Sequence, residues 1–343
     1  MFSYAASYCD GARTMVLPRR TAPPFLAAPL PPSDDVAQAV ALDDLVRFFE
    51  HPSRAFLQRR LQLYLGGDAP IVEDREPMEI DNLAAWEIGH QLLERCVRGD
   101  DLASAFAAVR ASGTLPLGVP GECVYTDLQP AVDLLGRKAR ELMTGGRCAP
   151  VEVDVRLGDF SITGLLRDVW RAGQVRYQFS RLGGRHELGV WIRHLVLNVI
   201  APATCSLLSF VVGRPTHEDP AIVVRFAPVS DPGSILQELL HMYWLGQTRP
   251  LPLFPRTSRV YVKELRSGRS DDAGQRALAA ARREFAAKQY SPVPADEEDV
   301  YVQQLFGGRD PLEPTDDGSP SPSFAAVARA VFDPLLAHRE VME

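Results

Sequence analysis

The chain has 343 residues, 46% of them hydrophobic, which is enough for one large hydrophobic core or two modest ones. Its formal net charge of −7 argues against a protein that coats nucleic acid with a uniformly basic surface. Positive charge is carried almost entirely by arginine, since lysine occurs only at Lys138, Lys263 and Lys288. Arginine makes planar, two-pronged contacts with phosphate and carboxylate groups that lysine does not make. A GC-rich coding sequence is an alternative source of the same bias.

The first part of the chain is predicted to be a leader followed by helices. Residues 1–40 are rich in alanine and proline and lack hydrophobic periodicity, so we predict an extended leader or linker there. From residue 41 apolar side chains recur with helical spacing, as in Leu45, Phe48 and Phe49. Further helices are predicted at residues 83–97, 102–110 and 128–143. Residues 41–145 are thus the predicted helical part of a domain that continues to residue 343.

The pattern changes to strand-like alternation after residue 150. Apolar and polar side chains alternate over residues 151–157 and again over 175–180, as expected for half-buried strands. Further strands are predicted at residues 205–213 and 221–227, and further helices at 233–245, 275–289 and 324–337. Proline-rich runs at residues 251–255 and 313–323 are predicted to be exposed loops. Residues 150–343 are therefore predicted to form an α/β core with a mixed central sheet and helical flanks.

The most informative segment spans residues 164–194, GLLRDVWRAGQVRYQFSRLGGRHELGVWIRH. It predicts a strand at 164–170, a turn near 172–173, a strand at 175–182 and a helix from about residue 187. Nucleases of the restriction-endonuclease-like class use this strand–turn–strand–helix unit to present an aspartate, and then an acid-x-lysine pair, to a divalent metal. A restriction-endonuclease-like core is therefore the predicted fold.

The acidic residues that this chemistry needs are absent, so the predicted active site is degenerate. The residues two positions before the three lysines are Gly136, Tyr261 and Ala286, so the chain contains no acid-x-lysine pair. Arginine does not lose its proton, cannot act as a base and repels a metal ion. Two Glu-x-x-His pairs, Glu87–His90 and Glu238–His241, are interpreted as coincidental, because no four-helix pattern accompanies them. We expect no catalytic residue, no metal site and no cofactor.

Arginine is concentrated between residues 165 and 194, where aromatic residues such as Trp170 and Tyr177 are interleaved. Arginines near aromatic rings suit contact with phosphates and stacking on bases. The candidates for DNA contact are Arg167, Arg171, Arg176, Arg181 and Arg185. Two alternatives stay open for these side chains, namely contact with a partner protein and an ordinary solvated surface.

Cysteine usage and hydropathy favour a cytoplasmic protein without membrane contact. The five cysteines are widely spaced and contain no C-x-x-C pair, which favours reduced, mostly buried thiols over a disulfide framework or a zinc site. No apolar run approaches the roughly 20 residues that a membrane span needs. The first 20 residues contain no continuous apolar region, so we expect no signal peptide.

Five segments resemble the C-terminal domain of the RecC family, the gamma subunit of exodeoxyribonuclease V. The resemblance covers residues 38–340 in preserved order. Its segments are LDDLVRFFEHPSRAFLQRRLQLYL, EPMEIDNLAAWEIGHQLLERCVRGDD, ASGTLPLGVPGE, DPGSILQELLHMYWLGQTRPLPLFPRTS and DEEDVYVQQLFGG. Chains of this family are several-fold longer, and their helicase-like N-terminal domains have no counterpart here. We therefore expect a fragment, a split gene product or a truncated reading frame.

The resemblance implies a domain that looks like the nuclease domain of RecB without its active site. The nuclease histidine corresponds to His90, the first metal aspartate to Arg167, the second acid to Phe179 and the lysine to Arg181. Only the histidine is retained, and one imidazole cannot hold a catalytic magnesium ion. The resemblance also implies RecB and RecD as partners, and a role in parting duplex DNA for which the hairpin at 168–178 is the candidate protrusion.

The predicted function is that of a non-catalytic subunit fragment of the RecBCD helicase–nuclease. It would hold RecB and RecD and contact double-stranded DNA ends and separated strands during repair of double-strand breaks by homologous recombination. One alternative is a protein-interaction module that never touches DNA. The other is an active metal-dependent exonuclease with a displaced site, for which Asp154, Asp159 and Glu187 are the candidate carboxylates.

Overall fold

The computed structural model describes residues 5–16, 25–26, 28–32, 39–66, 79–214, 221–268, 272–287, 294–313 and 322–342. The elements of the first part are α1 (Ala6–Val16), β1 (Ala39–Ala41), α2 (Leu42–Glu50), α3 (Pro52–Ala55), a π-helical turn (Phe56–Arg60), α4 (Asn82–Arg98), α5 (Leu102–Ala111) and α6 (Val119–Leu142). Those of the second part are β2 (Val151–Leu157), β3 (Phe160–Leu166), β4 (Val169–Trp170), β5 (Gly173–Arg181), α7 (Gly184–Ile200), β6 (Ser209–Arg214), β7 (Ile222–Phe226), α8 (Pro232–Thr248), α9 (Pro255–Ser267), α10 (Ala273–Phe285), a 3₁₀ turn (Asp296–Glu298), α11 (Val300–Phe306), α12 (Phe324–Ala337) and β8 (Arg339–Met342).

The helices before residue 145 follow the predicted order, and local capping explains their ends. The Asp81 carboxylate accepts a hydrogen bond from the backbone of Ala84 at the start of α4, and Gly99 ends that helix in the left-handed conformation. Helix α6 begins nine residues earlier than the predicted residue 128. Pro120 is tolerated in its first turn, and Pro130 lies inside it, as it does in the predicted helix at 128–143.

Nine of the residues from 164 to 176 lie in strands, and these strands belong to two different sheets. The first sheet has the strand order β1-β3-β2, and the second has the order β4-β5-β6-β7-β8. In the second sheet β5 and β6 are parallel and the other pairs are antiparallel, so it is mixed as predicted. The predicted single strand at 164–170 is wrong, because Gly164 pairs with β2 whereas Val169 pairs with β5. Arg167 and Asp168 join the two sheets.

The five-stranded sheet is covered by helices on both faces. Along β6, Val211 points into a hydrophobic cluster with α7, α8, α9 and α12, while its neighbours Phe210 and Val212 point into a second cluster with α4, α5 and α6. Alternate side chains of a strand lie on opposite faces, so burial on both sides accounts for the continuous apolar run of this strand. Strand β5 is an inner strand of this sheet, between β4 and β6, and it carries three of the candidate residues, Arg176, Phe179 and Arg181.

Part of the predicted leader has regular structure or packs on the domain. Residues 6–16 are helical, and β1 pairs in parallel with β3. The side chains of Phe25 and Leu26 pack against a buried cluster that contains Phe56 and Leu57. The leader predicted to be extended over 1–40 is therefore helical at 6–16 and packed on the domain at 25–26 and 39–40, while 1–4, 17–24, 27 and 33–38 lie outside the described residues.

Two further predictions about exposure are corrected. The run at residues 251–255 is not an exposed loop, since Leu251, Leu253 and Phe254 are buried in the main core. Of the second predicted loop, residues 314–321 lie outside the described part. The cysteines are free thiols as predicted, but they are not mostly buried, because only Cys96 is buried and Cys9 and Cys123 are exposed. None of the described helices is long and apolar enough to cross a lipid bilayer.

Candidate nucleic-acid interface

The strand–turn–strand–helix unit is formed by β4, a turn at residues 171–172, β5 and α7. Gly183 precedes the helix, and the His186 imidazole accepts a hydrogen bond from the Gly183 backbone at 3.3 Å. Helix α7 begins at Gly184, three residues before the predicted start. The unit places the candidate residues on the turn, along β5 and in the first turn of α7.

A phenyl ring fills the position that the resemblance equates with the second nuclease acid. Phe179 is buried, with 2% of its surface exposed. It packs on α4 so closely that a Cβ atom added at Gly89 would lie 2.2 Å from the ring. His90, the neighbour of this glycine, lies 3.8 Å from the Glu94 carboxylate through Nε2, and its Nδ1 is buried without a hydrogen-bond partner among the described residues.

The carboxylate next to Arg167 in sequence is paired with arginines. Arg167, which the resemblance equates with the first metal aspartate, is exposed at the junction of the two sheets. The next residue, Asp168, accepts a hydrogen bond from Arg176 Nη1 at 2.5 Å and lies 3.8 Å from Arg147 Nη2. The Arg147 guanidinium also lies 5.7 Å from the centroid of the Trp170 indole. Two arginines therefore take up the charge of this carboxylate.

The five candidate arginines do not converge on one spot. Arg171 lies at the turn before β5 and Arg181 at the end of that strand, so about 30 Å of extended chain separates them. Arg185 lies in the first turn of α7. Arg167, Arg171, Arg181 and Arg185 are exposed, whereas Arg176 is half-buried and paired with an acid. The exposed candidates are therefore spread from the junction before β4, past the two ends of β5, to the first turn of α7, and we call this set the arginine track.

The three carboxylates proposed for a displaced metal site are not a metal site in this structure. Asp154 is exposed on β2 and Asp159 is exposed in the turn after it. Glu187 is fully buried and accepts hydrogen bonds from two arginines, Arg259 and Arg339. Across the described residues no group of three or more histidine, cysteine, aspartate or glutamate side chains is placed to hold a metal ion.

A narrow cleft opens between α2, β5 and α7. Glu50, Arg176, Gln178 and Arg193 line it. Burial raises the pKa of the Glu50 carboxyl, while Arg193 and other arginines act in the opposite direction. Arg193 is itself held by the Asp43 carboxylate at 2.7 Å and by the Gly189 carbonyl at 3.0 Å. Both arginines of the cleft therefore have acidic partners within the fold, Asp168 for Arg176 and Asp43 for Arg193.

Sequence reasoning missed two residues beside this unit, Trp86 and Arg214. The Trp86 indole donates a hydrogen bond to Ser180 Oγ at 2.9 Å and stacks on His90. Arg214 ends β6, where it pairs with Arg181 in the parallel ladder. A signal for Trp86 was present, because side chains four residues apart share one helix face. Arg214 had none, since only the sheet brings it to β5.

The arginine-rich segment at residues 164–194 ends at a buried histidine, His194. Its ring nitrogens lie 2.9 Å from the Ser209 hydroxyl and 3.0 Å from the Ala227 carbonyl. Burial lowers its pKa from 6.5 to about 4, and His338 acts in the same direction, although the carbonyl of Ala227 opposes them. The imidazole is therefore a neutral part of the core.

The free energy of unfolding is expected to fall by about 3 kcal/mol between pH 6.5 and pH 4 on account of His194. The unfolded chain binds a proton near pH 6.5 and the folded chain only near pH 4, so acid favours the unfolded state in this window. His194→Gln keeps polar groups that do not ionise. Urea titrations at several pH values should show a shallower pH dependence for this variant, and an unchanged slope would contradict the assignment.

Comparison with known proteins identifies the family. A model of the RecC C-terminal domain matches residues 37–266 of the chain. The chain belongs to this family. The RecBCD enzyme subunit RecC of Mycolicibacterium smegmatis is 32% identical over 277 residues, which cover 80% of this chain and 25% of that protein. RecC of Escherichia coli is 29% identical over 276 residues, which cover 78% of this chain and 24% of that protein. The expectation of a RecC C-terminal domain is thereby confirmed.

The RecC C-terminal domain match spans β1 to α9 and includes every candidate residue named above. A third relative, the RecBCD enzyme subunit RecC of Mycobacterium tuberculosis, is 31% identical over 247 residues. The chain spans about a quarter of the length of the curated RecC proteins that it matches.

Proposed function

We propose that this chain is a non-catalytic, restriction-endonuclease-like part of a RecBCD assembly, in which it holds RecB and RecD and contacts DNA. The observation that carries the proposal is the state of the nuclease-equivalent positions. Phe179 is core, Arg167 and Arg181 are exposed cations, and only His90 has the chemistry of the nuclease residue. The relatives, which are named subunits of the RecBCD enzyme, support the partners.

Its contribution to the reaction would be positional. Phosphate contacts fix the path and register of a nucleic acid without reading its sequence. A track of exposed arginines at the sheet junction, at the two ends of β5 and on the helix that follows it suits this task, because the sheet fixes the spacing of the charges. The energy and the chemistry of strand separation, cleavage and break repair would come from the partner subunits in the cytoplasm.

Reversal of charge at Arg167 and Arg181 is expected to weaken DNA binding about tenfold or more. Each lost arginine–phosphate contact removes a charge-assisted hydrogen bond and one released counterion, so the salt dependence of binding should also fall by about two units of slope. Fluorescence anisotropy with a forked duplex measures the affinity and its salt dependence for the double variant Arg167→Glu/Arg181→Glu. The matched control is Arg110→Glu with Arg283→Glu, which makes the same charge change on α5 and α10.

Equal loss in the two double variants would mean that net charge alone drives binding, and unchanged affinity would exclude the arginine track. Conversion of labelled DNA to short products by the purified chain with magnesium would contradict the non-catalytic assignment.

A pure interaction module is the second candidate, and α1 favours it. None of the residues of α1 is buried, and Tyr8, Met15 and Val16 are exposed apolar side chains. Large exposed apolar side chains close together are typical of protein interfaces. Co-purification with RecB and RecD separates the two candidates. If the charge-reversed variant loses DNA affinity and keeps RecB, the DNA-contacting function stands, and the reverse result supports the interaction module.

A further inference from the structure

An exposed indole stacked on a half-buried imidazole lies where β5 ends beside α4. All four tryptophans lie in the described part of the chain, and only Trp86 is exposed, with 40% of its surface accessible. Its indole and the His90 imidazole have ring centroids 5.5 Å apart and planes inclined by 12°. The indole Nε1 donates its hydrogen bond to Ser180 Oγ. The indole is therefore held in one orientation, with His90 behind it.

Two arginines lie next to these rings. Arg181 directly follows Ser180 on β5 and is exposed. Arg214 is its neighbour in the parallel ladder, and its guanidinium lies 5.1 Å from the centroid of Phe179, the ring that packs against α4. Adjacent strands lie roughly 4.8 Å apart, so both cations can face one ligand. Neither arginine makes an ion pair within the described residues.

We propose that Trp86, His90, Arg181 and Arg214, named the Trp86 patch, bind an unpaired nucleotide of single-stranded DNA. The base stacks on the exposed indole, and the two guanidinium groups contact the neighbouring phosphates. This inference rests on the proposed DNA contact and specifies the form of DNA that this end of the arginine track takes.

The chemistry favours a single strand over a duplex. Aromatic stacking on bases needs a base whose face is not covered by its neighbours, and it tolerates any sequence because every base has such a face. An exposed tryptophan leaves apolar surface in water, which a stacked base would cover. The hydrogen bond to Ser180 and the stack on His90 fix the ring before binding, so little side-chain entropy is lost when a base arrives.

The patch also gives the retained histidine a role that is not nuclease chemistry. His90 supports the indole from behind, so it is a positioning residue. Its ring, rather than its proton, is the part that matters. His90→Phe should therefore preserve binding of a single strand, whereas His90→Ala should weaken it.

The test compares single-stranded and duplex DNA on the purified chain. The probe is an oligothymidylate of roughly 15 nucleotides, within the range of single-strand site sizes, and the comparison is a blunt duplex of the same length. Trp86→Ala is expected to lower the affinity for the oligothymidylate about tenfold and to change duplex affinity less than about twofold. Trp86→Phe should keep most of the affinity. Leu83→Ala, an exposed apolar change one turn away on α4, is the matched control.

A spectroscopic readout guards against a general effect on folding. Binding of the oligothymidylate should quench tryptophan emission in the wild type, and Trp86→Phe should lose this quenching while it still binds. If the wild type binds DNA and Trp86→Ala binds the oligothymidylate equally well, the Trp86 patch is overturned while the arginine track stands. If the wild type binds neither probe, the proposed DNA contact fails as well. Equal losses for both probes also overturn the single-strand assignment.

Discussion

Replacement of Glu187 by glutamine is expected to lower the free energy of unfolding by about 3–5 kcal/mol. The carboxylate lies fully buried in the first turn of α7, where it accepts two hydrogen bonds each from Arg259 and Arg339, at 2.9 to 3.2 Å. Glutamine keeps the volume but removes the negative charge, which leaves two guanidinium groups close together in a poorly solvated place. Urea unfolding followed by circular dichroism measures the loss.

An exposed ion pair between β7 and β8, the strand that begins with Arg339, provides the control. Glu340 lies 3.2 Å from Arg225, and more than half of the glutamate side chain is exposed. Surface pairs of this kind contribute about 0–1 kcal/mol, so Glu340→Gln should be nearly neutral. We call Glu187, Arg259 and Arg339 the buried triad. If Glu187→Gln and Glu340→Gln lower the free energy of unfolding by the same small amount, the buried triad does not stabilise the fold.

The triad explains why residues beyond the family match belong to the fold. Arg259 and Arg339 lie 72 and 152 residues from Glu187 in sequence. Arg339 begins β8, which completes the edge of the five-stranded sheet next to β7. The carboxylate therefore ties α7, which follows β5, to α9 and to β8.

Features that depend on one buried face were predictable from the sequence. On β2, Val153 and Val155 are buried while Glu152 and Asp154 are exposed, as their alternation predicts. The helix after β5 was also predicted, although twelve of its 17 residues are buried, so it meets the core on more than one face. On β2 the spacing of apolar residues reports directly on the face that meets the core.

Features that depend on distant residues were not predictable. Residues 164–170 were predicted as one strand despite the charged pair Arg167–Asp168 in their middle, and only the pairing of the two ends with different sheets shows the division. In the sequence, Glu187 cannot be distinguished from any other acid in the first turn of a helix, because its partners Arg259 and Arg339 are far away along the chain. The burial of Leu251 and Phe254 was hidden for a similar reason, since proline indicates irregular backbone but not exposure.

Truncation of Phe179 to alanine is expected to cost about 3–5 kcal/mol of unfolding free energy, because a buried ring leaves a cavity between β5 and α4. Gly89→Ala approaches the same contact from the other side. Its added Cβ would lie 2.2 Å from the ring, so overpacking should cost about 1–3 kcal/mol. Urea unfolding of both variants measures these losses.

A double-mutant cycle tests whether the two residues share one contact. Phe179→Leu makes room beside Gly89, so Gly89→Ala should cost less in that background than in the wild type. The same cost in both backgrounds would contradict the close packing of the ring on α4.

The geometry at Phe179 also opposes a return to metal chemistry. Under the correspondence implied by the RecC resemblance, Phe179→Glu restores the second acid, but in a space that is shaped for a ring, 5.1 Å from whose centroid the Arg214 guanidinium lies. A carboxylate there would be partly desolvated, and a partly empty space would surround it. We therefore expect Phe179→Glu to be at least as destabilising as Phe179→Ala and to gain no magnesium-dependent cleavage of labelled DNA. A stable variant that cleaves DNA would show that the site lacks only its acids, whereas the observed packing makes this position part of the core.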